Sequence, residues 1–332
     1  MVFRLNSGSI YNTYTDCSSK KIRASTDYYG IKSAKTIRLT NSDTAYRLAA
    51  FGGIMKITYQ GVAGAYSHIA SKELFPNAEY LSCETFEQAM DTVQNGKADY
   101  ALIPVENSNA GRVADVHFLL PKTGLTIIGE YFLRVEHQLL GLPAAKLEDI
   151  TSASSHPQAL SQCSNFLKKN KIQPIARIDT AKSCQDILAF NDKTKAAIAS
   201  KLAAEIYGLK ILASNIENSG SNTTRFLIMA PNAVVPEDDG SLFITSCIFK
   251  VKSIPAALYK ALGGFATNGI NLDKLESYHA DGQFVSARFY IEIESHPARK
   301  AFQNAFDELR FFADEIHILG TYKACRNRHG KE

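Results

Sequence analysis

From residue 55 onward, the hydrophobic and polar positions alternate between strand-like and helix-like periods. The pattern predicts strands at 55–60, 98–105, 125–134, 136–142 and 196–200, and helices after Gly64 and over 157–170 and 202–207. Thr85 and Gln88 form a capping box that opens a further helix, which Gly96 can close. Strands alternating with helices of this length predict one α/β region with a parallel sheet over residues 55–231.

A second, smaller region follows a Pro- and Asp-rich linker at 232–240. Strands are predicted at 241–251, 272–279, 284–293 and 315–322, and helices at 255–268 and 297–312. Pro255 suits a first helical turn, Gly269 a helix C-terminus, and Asp281-Gly282 a hairpin turn. The order βαββαβ over 241–323 predicts a ferredoxin-like module.

The two ends of the chain lack this periodicity. Residues 1–54 carry eight Lys or Arg against three Asp and are rich in Ser, Thr and Tyr, so we expect a poorly ordered extension there. An organellar transit peptide is the alternative, because the segment is basic and hydroxyl-rich. The tail at 324–332 is predicted to be a solvated end.

Composition narrows the class of protein. The chain has 332 residues, which favours at least two domains. The net charge of +4 lies largely at the ends, which gives nucleic-acid binding little support. No apolar stretch has the length of a membrane span. Six scattered cysteines without a zinc-type spacing favour a reducing, cytoplasmic location, or an organelle if 1–54 is a transit peptide.

Several loops place polar side chains where a strand meets a helix. Asn107 and Ser108 follow a buried strand, at the edge where open α/β sheets bind ligands. Ser155 and Gln158 match a second capping box, and Thr180 precedes an apolar helical run. Ser155 and Thr180 could equally cap their helices without binding anything. We therefore expect one cleft at which three loops converge.

Four motifs together resemble prephenate dehydratase over residues 55–323: Gly61-Val-Ala-Gly-Ala-Tyr66, Glu106-Asn-Ser-Asn-Ala-Gly111, Ser155-His-Pro-Gln-Ala-Leu160 and Thr224-Arg-Phe226. The resemblance implies a two-lobed catalytic domain like a periplasmic binding protein, with lobes at 55–132 plus the strand after Arg225, and at 133–213. It implies decarboxylating dehydration of prephenate in phenylalanine biosynthesis, with no metal or organic cofactor. Gly61 and Gly64 lack the third glycine of a dinucleotide loop, so NAD binding is not expected.

The resemblance also implies roles for individual residues. Thr224 would assist the leaving hydroxyl, and Arg225 would bind a carboxylate or brace its loop. His156 is an alternative proton donor, and Arg112 a second source of positive charge. The residues expected to contact substrate are Asn107, Ser108, Gly111, Ser155, His156, Gln158, Thr180 and Phe226.

The C-terminal module resembles an ACT domain, which implies phenylalanine as effector and a homodimer or homotetramer. The expected effector site comprises Pro255, Ala256, Ala257, Leu258, Asn271, Leu272, Glu276 and Ser277. Tyr278 and His279 stand where the family has Arg-Pro, so the resemblance leaves the effector's identity open. Two other functions remain open as well: arogenate dehydratase, which acts on the amino form of the substrate, and a non-catalytic amino-acid sensor.

Overall fold

The computed structural model describes residues 39–42, 45–48, 54–232, 235–279 and 287–329. Two short strands, β1 (Leu39–Ser42) and β2 (Ala45–Leu48), pair antiparallel. Both strands lie within the extension predicted at 1–54, whose poor order stays a prediction. The rest of the predicted extension lies outside the described residues.

The first lobe is a sheet covered by helices, with its core on both faces. Thr85 accepts a hydrogen bond from the backbone N–H of Gln88 at 3.0 Å, and Gly96 follows the same helix at φ 70°, so the predicted cap and stop are confirmed. The elements are β3 (Lys56–Gln60), α1 (Tyr66–Leu74), β4 (Glu79–Cys83), α2 (Phe86–Gln94), β5 (Tyr100–Asn107), β6 (Gly111–Arg112), α3 (Ala114–Leu119) and β7 (Thr126–Arg134).

The second lobe has its own five-stranded sheet. Its elements are β8 (Gln138–Gly141), β9 (Ser152–Ser155), α4 (Pro157–Gln162), α5 (Ser164–Lys169), β10 (Gln173–Ala176), α6 (Lys182–Phe190), β11 (Lys195–Ala199), α7 (Lys201–Tyr207) and β12 (Lys210–Ala213). The single helix predicted at 157–170 is wrong: it breaks at Cys163, whose backbone (φ −106°, ψ 11°) leaves the helical region.

The chain then returns to the first lobe through β13 (Thr223–Ala230), which lies between β5 and β7. β13 runs antiparallel to both neighbours, whereas β3 is parallel to β4 and β5. The second sheet is also mixed, with order β10-β9-β11-β8-β12. The predicted all-parallel sheet is therefore corrected: the chain crosses between lobes before β8 and again before β13, and strands that follow a crossover enter in the opposite direction.

The C-terminal module has the predicted element order: β14 (Phe243–Val251), α8 (Ala257–Thr267), β15 (Leu272–His279), β16 (Ala287–Ile293), α9 (Lys300–Phe312) and β17 (Ala313–Lys323). The strands form one antiparallel sheet in the order β15-β16-β14-β17. Helix α8 begins at Ala257 rather than Pro255, because Ala256 is left-handed at φ 58°. The predicted turn at Asp281-Gly282 lies outside the described residues.

The module and the first lobe share one hydrophobic core. Met90 of α2 and Val116 of α3 belong to the same buried cluster as Ile248 and Tyr322 of the module. At this junction β17 approaches β7 so closely that a Cβ on Gly320 would lie 1.9 Å from the carbonyl oxygen of Ile127. The module is thus packed directly against the lobe. None of the described helices is long and apolar enough to cross a membrane.

Candidate active site

A cavity of about 170 Å³ lies between the two lobes. Strands β5 and β13 of the first lobe form one wall, and α4 with the loop before α6 forms the other. The lining residues are Tyr66, Asn107, Val135, His137, His156, Gln158, Ala159, Gln162, Asp179, Thr180 and Thr224. The predicted convergence of three loops on one cleft is thus present for Asn107, His156, Gln158, Thr180 and Thr224.

Asn107 is the centre of a directional chain of hydrogen bonds. The backbone N–H groups of Asn109 and Ala110 donate to its Oδ1 at 3.1 and 3.0 Å, which fixes the orientation of the amide. Its Nδ2 therefore donates to Asn222 Oδ1 at 2.8 Å and to Thr224 Oγ1 at 3.0 Å. Because the side chain is only 8 % exposed, water competes little for these bonds.

The orientation of Asn107 sets the role of the Thr224 hydroxyl. Thr224 Oγ1 accepts from Asn107, and a hydroxyl can accept and donate at the same time. Its single proton is left to donate into the cavity that Thr224 lines. The arrangement therefore presents a hydrogen-bond donor to a bound oxygen atom.

The same chain continues from Asn222 to the far end of the cleft. Asn222 Nδ2 donates to Gln162 Oε1 at 3.0 Å, and the same oxygen lies 2.9 Å from His137 Nε2. Since an amide oxygen can only accept, the His137 proton is on Nε2. The Tyr66 hydroxyl lies 2.7 Å from Nδ1 and 2.9 Å from the carbonyl oxygen of Glu136, so it shares its single proton between these two acceptors. Burial lowers the pKa of His137, which is 2 % exposed, so the ring is neutral.

Two of the predicted helix caps differ from the structure. Ser155 ends β9, is fully buried, and donates to the carbonyl of Ile198 at 2.6 Å, whereas His156 Nδ1 caps α4. Asp179, not Thr180, caps α6, by accepting from the N–H of Lys182 at 2.9 Å. Ser155 is therefore tied to β11 and does not line the cavity, and Thr180 is left to face it.

Three other predicted contact residues also lie outside the cavity lining. Ser108 Oγ bonds to the backbone of Ser221 and Thr223, both at 3.0 Å, and so shapes the loop. Gly111 lies in β6, exposed to solvent with φ 79°. Phe226 is 1 % exposed and packs in the first lobe's core.

Arg225 points away from the cavity, to the opposite face of β13 from Thr224. Its guanidinium contacts Glu130 of β7 at 2.8 Å and Glu292 of β16 at 2.9 Å, and it donates to the Tyr322 hydroxyl at 3.1 Å. The side chain is 5 % exposed and both carboxylates are fully buried. The prediction that Arg225 binds a substrate carboxylate is thus corrected. This side chain joins the first lobe to the C-terminal module.

The C-terminal tail completes this cluster, which corrects the expectation of a solvated end. Arg328 ion-pairs with Glu130 at 2.6 Å and with Glu292, and the backbone N–H of Cys325 donates to Glu130 at 3.0 Å. The side chain of Arg328 is 7 % exposed. Arg328 also pairs with Asp273 of β15 at 2.5 Å. The two fully buried carboxylates, Glu130 and Glu292, require two positive charges, and Arg225 supplies only one. The four side chains Glu130, Arg225, Glu292 and Arg328 are called the junction cluster below.

The expected effector residues lie in two places on the C-terminal module. The first group surrounds the start of α8 and comprises Pro255, Ala256, Ala257 and Leu258. The second group lies on β15 or directly before it and comprises Asn271, Leu272, Glu276 and Ser277. Glu276 pairs with Arg112 at 2.9 Å, and Lys274 pairs with Glu106 at 2.7 Å. Strand β15 is therefore tied to the two ends of the loop that carries Asn107.

A cleft between two α/β lobes, lined by hydroxyl, amide and imidazole groups around a positioned alcohol, defines an enzyme that binds a small polar substrate. The family model for prephenate dehydratase matches residues 57–234. The chain belongs to the prephenate dehydratase family, whose members are lyases.

Relatives support this assignment along most of the chain. It is 42 % identical to a bifunctional N-acyl-homoserine lactone acylase/prephenate dehydratase from Komagataeibacter europaeus, over 81 % of this chain and 95 % of that one. It is 40 % identical to arogenate dehydratase/prephenate dehydratase 1, chloroplastic, from Arabidopsis thaliana, over 81 % and 72 %. The structure of prephenate dehydratase in complex with L-Phe from Arthrobacter aurescens matches with a TM-score of 0.75 at 26 % identity, over 81 % and 90 %.

Sequence reasoning missed several cavity residues: Tyr66, Val135, His137, Ala159, Gln162 and Asp179. Tyr66 ends the first motif that the sequence displays, Asp179 directly precedes the predicted Thr180, and Gln162 lies one helical turn beyond Gln158, on the same face of α4. That spacing could have identified Gln162. His137 lies in the crossover between lobes and carried no local pattern.

Proposed function

We propose that this chain catalyses the decarboxylating dehydration of prephenate to phenylpyruvate, a step of phenylalanine biosynthesis. The observation that carries the proposal is the Thr224 hydroxyl, which accepts from Asn107 and so directs its proton into the cleft. Because this reaction ends in an aromatic ring, the protein needs only to position the substrate and assist the leaving group.

The bond changes balance with one proton, which the solvent supplies. The bond between the ring and its carboxylate breaks, its electron pair enters the ring, and carbon dioxide leaves. The C4–O bond breaks as the ring becomes aromatic, and its electron pair leaves with the oxygen. The departing hydroxide takes up one proton to become water. Thr224 donates a hydrogen bond to that oxygen as negative charge develops on it, which contributes about 10²–10⁴ in rate.

The remaining cavity residues hold the substrate's polar groups. Gln158 and Thr180 face the cavity from the second lobe, and the Thr224 hydroxyl faces it from the first. Amide and hydroxyl donors suit carboxylate oxygens. Placing these donors on two lobes favours a substrate bound between them.

Replacing Thr224 tests the proposal. With prephenate as substrate and phenylpyruvate absorbance as readout, we expect Thr224→Ala to lower kcat by about 10²–10⁴, with KM changed far less. Thr224→Ser should keep most of the rate, because it retains the hydroxyl. Thr223→Ala is the matched control: it removes the adjacent hydroxyl, which does not line the cavity.

Two outcomes would contradict the proposal. If Thr224→Ala folds and turns over as fast as the parent enzyme, the hydroxyl of Thr224 does not assist the leaving group. A parent protein that consumes neither prephenate nor arogenate would favour the amino-acid sensor instead. Arogenate belongs in the same assay, because the Arabidopsis relative carries both activities in its name.

We further propose that the C-terminal module is an ACT domain and that phenylalanine binding to it inhibits turnover. The βαββαβ order supports this, as does the L-Phe complex of the Arthrobacter relative. Glu276 and Lys274 of β15 pair with Arg112 and Glu106. A movement of β15 would therefore pull on the loop that holds Asn107.

Turnover measured over a range of phenylalanine concentrations tests this regulation. We expect inhibition in the parent enzyme, and weaker inhibition in Glu276→Gln, which loses the ion pair to Arg112. Equal rates with and without saturating phenylalanine would refute it. The homodimer or homotetramer implied by the resemblance stays a prediction.

A further inference from the structure

The charge lining the cleft is unusual for a site that receives a dianion. Among the described residues that line it, Asp179 supplies the only carboxylate, and no Lys or Arg is present. The histidine at the far end, His137, has a pKa lowered by burial and is neutral. Asp179 is therefore the one acidic side chain among these lining residues, and no Lys or Arg lies beside it.

One oxygen of Asp179 is open to the cleft. Oδ1 accepts from the backbone N–H of Lys182 at 2.9 Å, but within the described part of the chain no donor bonds to Oδ2. Oδ2 faces Gly61 of the opposite lobe, lying 3.9 Å from where a Cβ on that residue would be. The missing side chain of Gly61 leaves room beside the carboxylate.

The two candidate substrates differ at one group. Prephenate has a ketone in its side chain, whereas arogenate has an ammonium group at that carbon, and both carry two carboxylates. A half-buried carboxylate repels a dianion and forms a charge-assisted hydrogen bond with an ammonium group. We propose that Asp179 is the residue that sets substrate specificity, by binding the ammonium group of arogenate, so that this chain prefers arogenate to prephenate.

This inference rests on the dehydratase function proposed above. Its competitor is a purely structural role for Asp179 as the cap of α6. Asparagine caps a helix as well as aspartate does but carries no charge. Asp179→Asn therefore removes the proposed interaction and keeps the structural one.

The experiment compares kcat/KM for arogenate and for prephenate in the parent enzyme and in Asp179→Asn. We expect the parent to favour arogenate. We expect the variant to lower the arogenate-to-prephenate ratio by about 10-fold or more, mainly through a higher KM for arogenate. Asp186→Asn is the control, because it removes a carboxylate from the same helix that pairs with Arg177 outside the cavity, and its ratio should equal the parent's.

Each other outcome decides the matter. A ratio unchanged in a folded Asp179→Asn, as judged by circular dichroism, overturns the inference, as does a parent that prefers prephenate. If Asp179→Asn does not fold, Asp179→Ser, which also caps and is uncharged, takes its place. If neither folds, the preference of the parent alone decides. Loss of both activities in the parent would instead refute the dehydratase function.

Discussion

Removing Arg328 from the junction cluster should destabilise the protein strongly, although this residue lies in the C-terminal tail. Arg328→Met keeps a long side chain but leaves Glu130 and Glu292 with one guanidinium between them. Breaking a buried ion pair by removing one partner costs about 3–5 kcal/mol, since the remaining charge is buried without compensation.

The pKa of Glu292 shows how strongly the two guanidinium groups together stabilise this carboxylate. Burial alone would raise it, but Arg225 and Arg328 outweigh burial and lower it from 4.5 to about 2. A shift of this size corresponds to about 3 kcal/mol of stability. Because the pKa is lower in the folded state, that stability is present above pH 4.5 and is lost as the pH falls towards 2. Without Arg328, the loss should begin at a higher pH.

Urea unfolding at pH 7.5 measures the effect. We expect the free energy of unfolding of Arg328→Met to fall by about 3–5 kcal/mol. Arg310→Met is the control, because it breaks an exposed pair with Asp307 at 3.4 Å and should cost about 1 kcal/mol or less. Equal losses in the two variants would refute the argument that the tail neutralises buried carboxylates.

Three further predictions follow from single contacts. Asn222→Asp cannot donate to Gln162 at neutral pH, so kcat should fall at least about 10-fold and recover in part as the pH drops and the new carboxyl group protonates. His117 is buried with both ring nitrogens unpaired, and burial lowers its pKa from 6.5 to about 4. About 3 kcal/mol of stability should therefore be lost as the pH falls from 6.5 to 4. Urea unfolding of His117→Leu should show a smaller loss of stability over the same pH range. Gly320→Ala would push a methyl group against the carbonyl of Ile127, so its thermal unfolding midpoint should fall by several degrees. Gly263→Ala in α8 serves as the control, because an added Cβ there has no neighbour within 4 Å.

The sequence predicted correctly those elements whose ends are marked by capping or helix-terminating residues. Thr85 and Gly96 bound α2 as expected, because a cap and a left-handed glycine act within a few residues. The break at Cys163 and the left-handed Ala256 were missed, since no Pro or Gly marks the altered backbone at either position. Strand direction was missed for a different reason: it depends on the two crossings between lobes, which no local pattern encodes.

The site was predictable as a set of loops but not as a set of contacts. Strand period alone places Thr224 and Arg225 on opposite faces, so one of the two had to leave the cleft. Which one left depends on Glu292 and Arg328, which are 67 and 103 residues further along the chain. Asp179 directly precedes the predicted Thr180, yet only the fold shows that its Oδ2 atom faces the opposite lobe.

Strand β13 links the chemistry to the junction between lobe and module. On one face it presents Thr224 to the cleft, and on the other its next residue, Arg225, is held by Glu292 of the module. If the module rotated relative to the first lobe while β13 stayed in place, Glu292 would separate from Arg225. That separation would leave buried charges unpaired. The shared core around Met90 and Tyr322 opposes the same motion. A rearrangement of the module that preserves the junction cluster must therefore move β13, and the Thr224 hydroxyl moves with it relative to the second lobe.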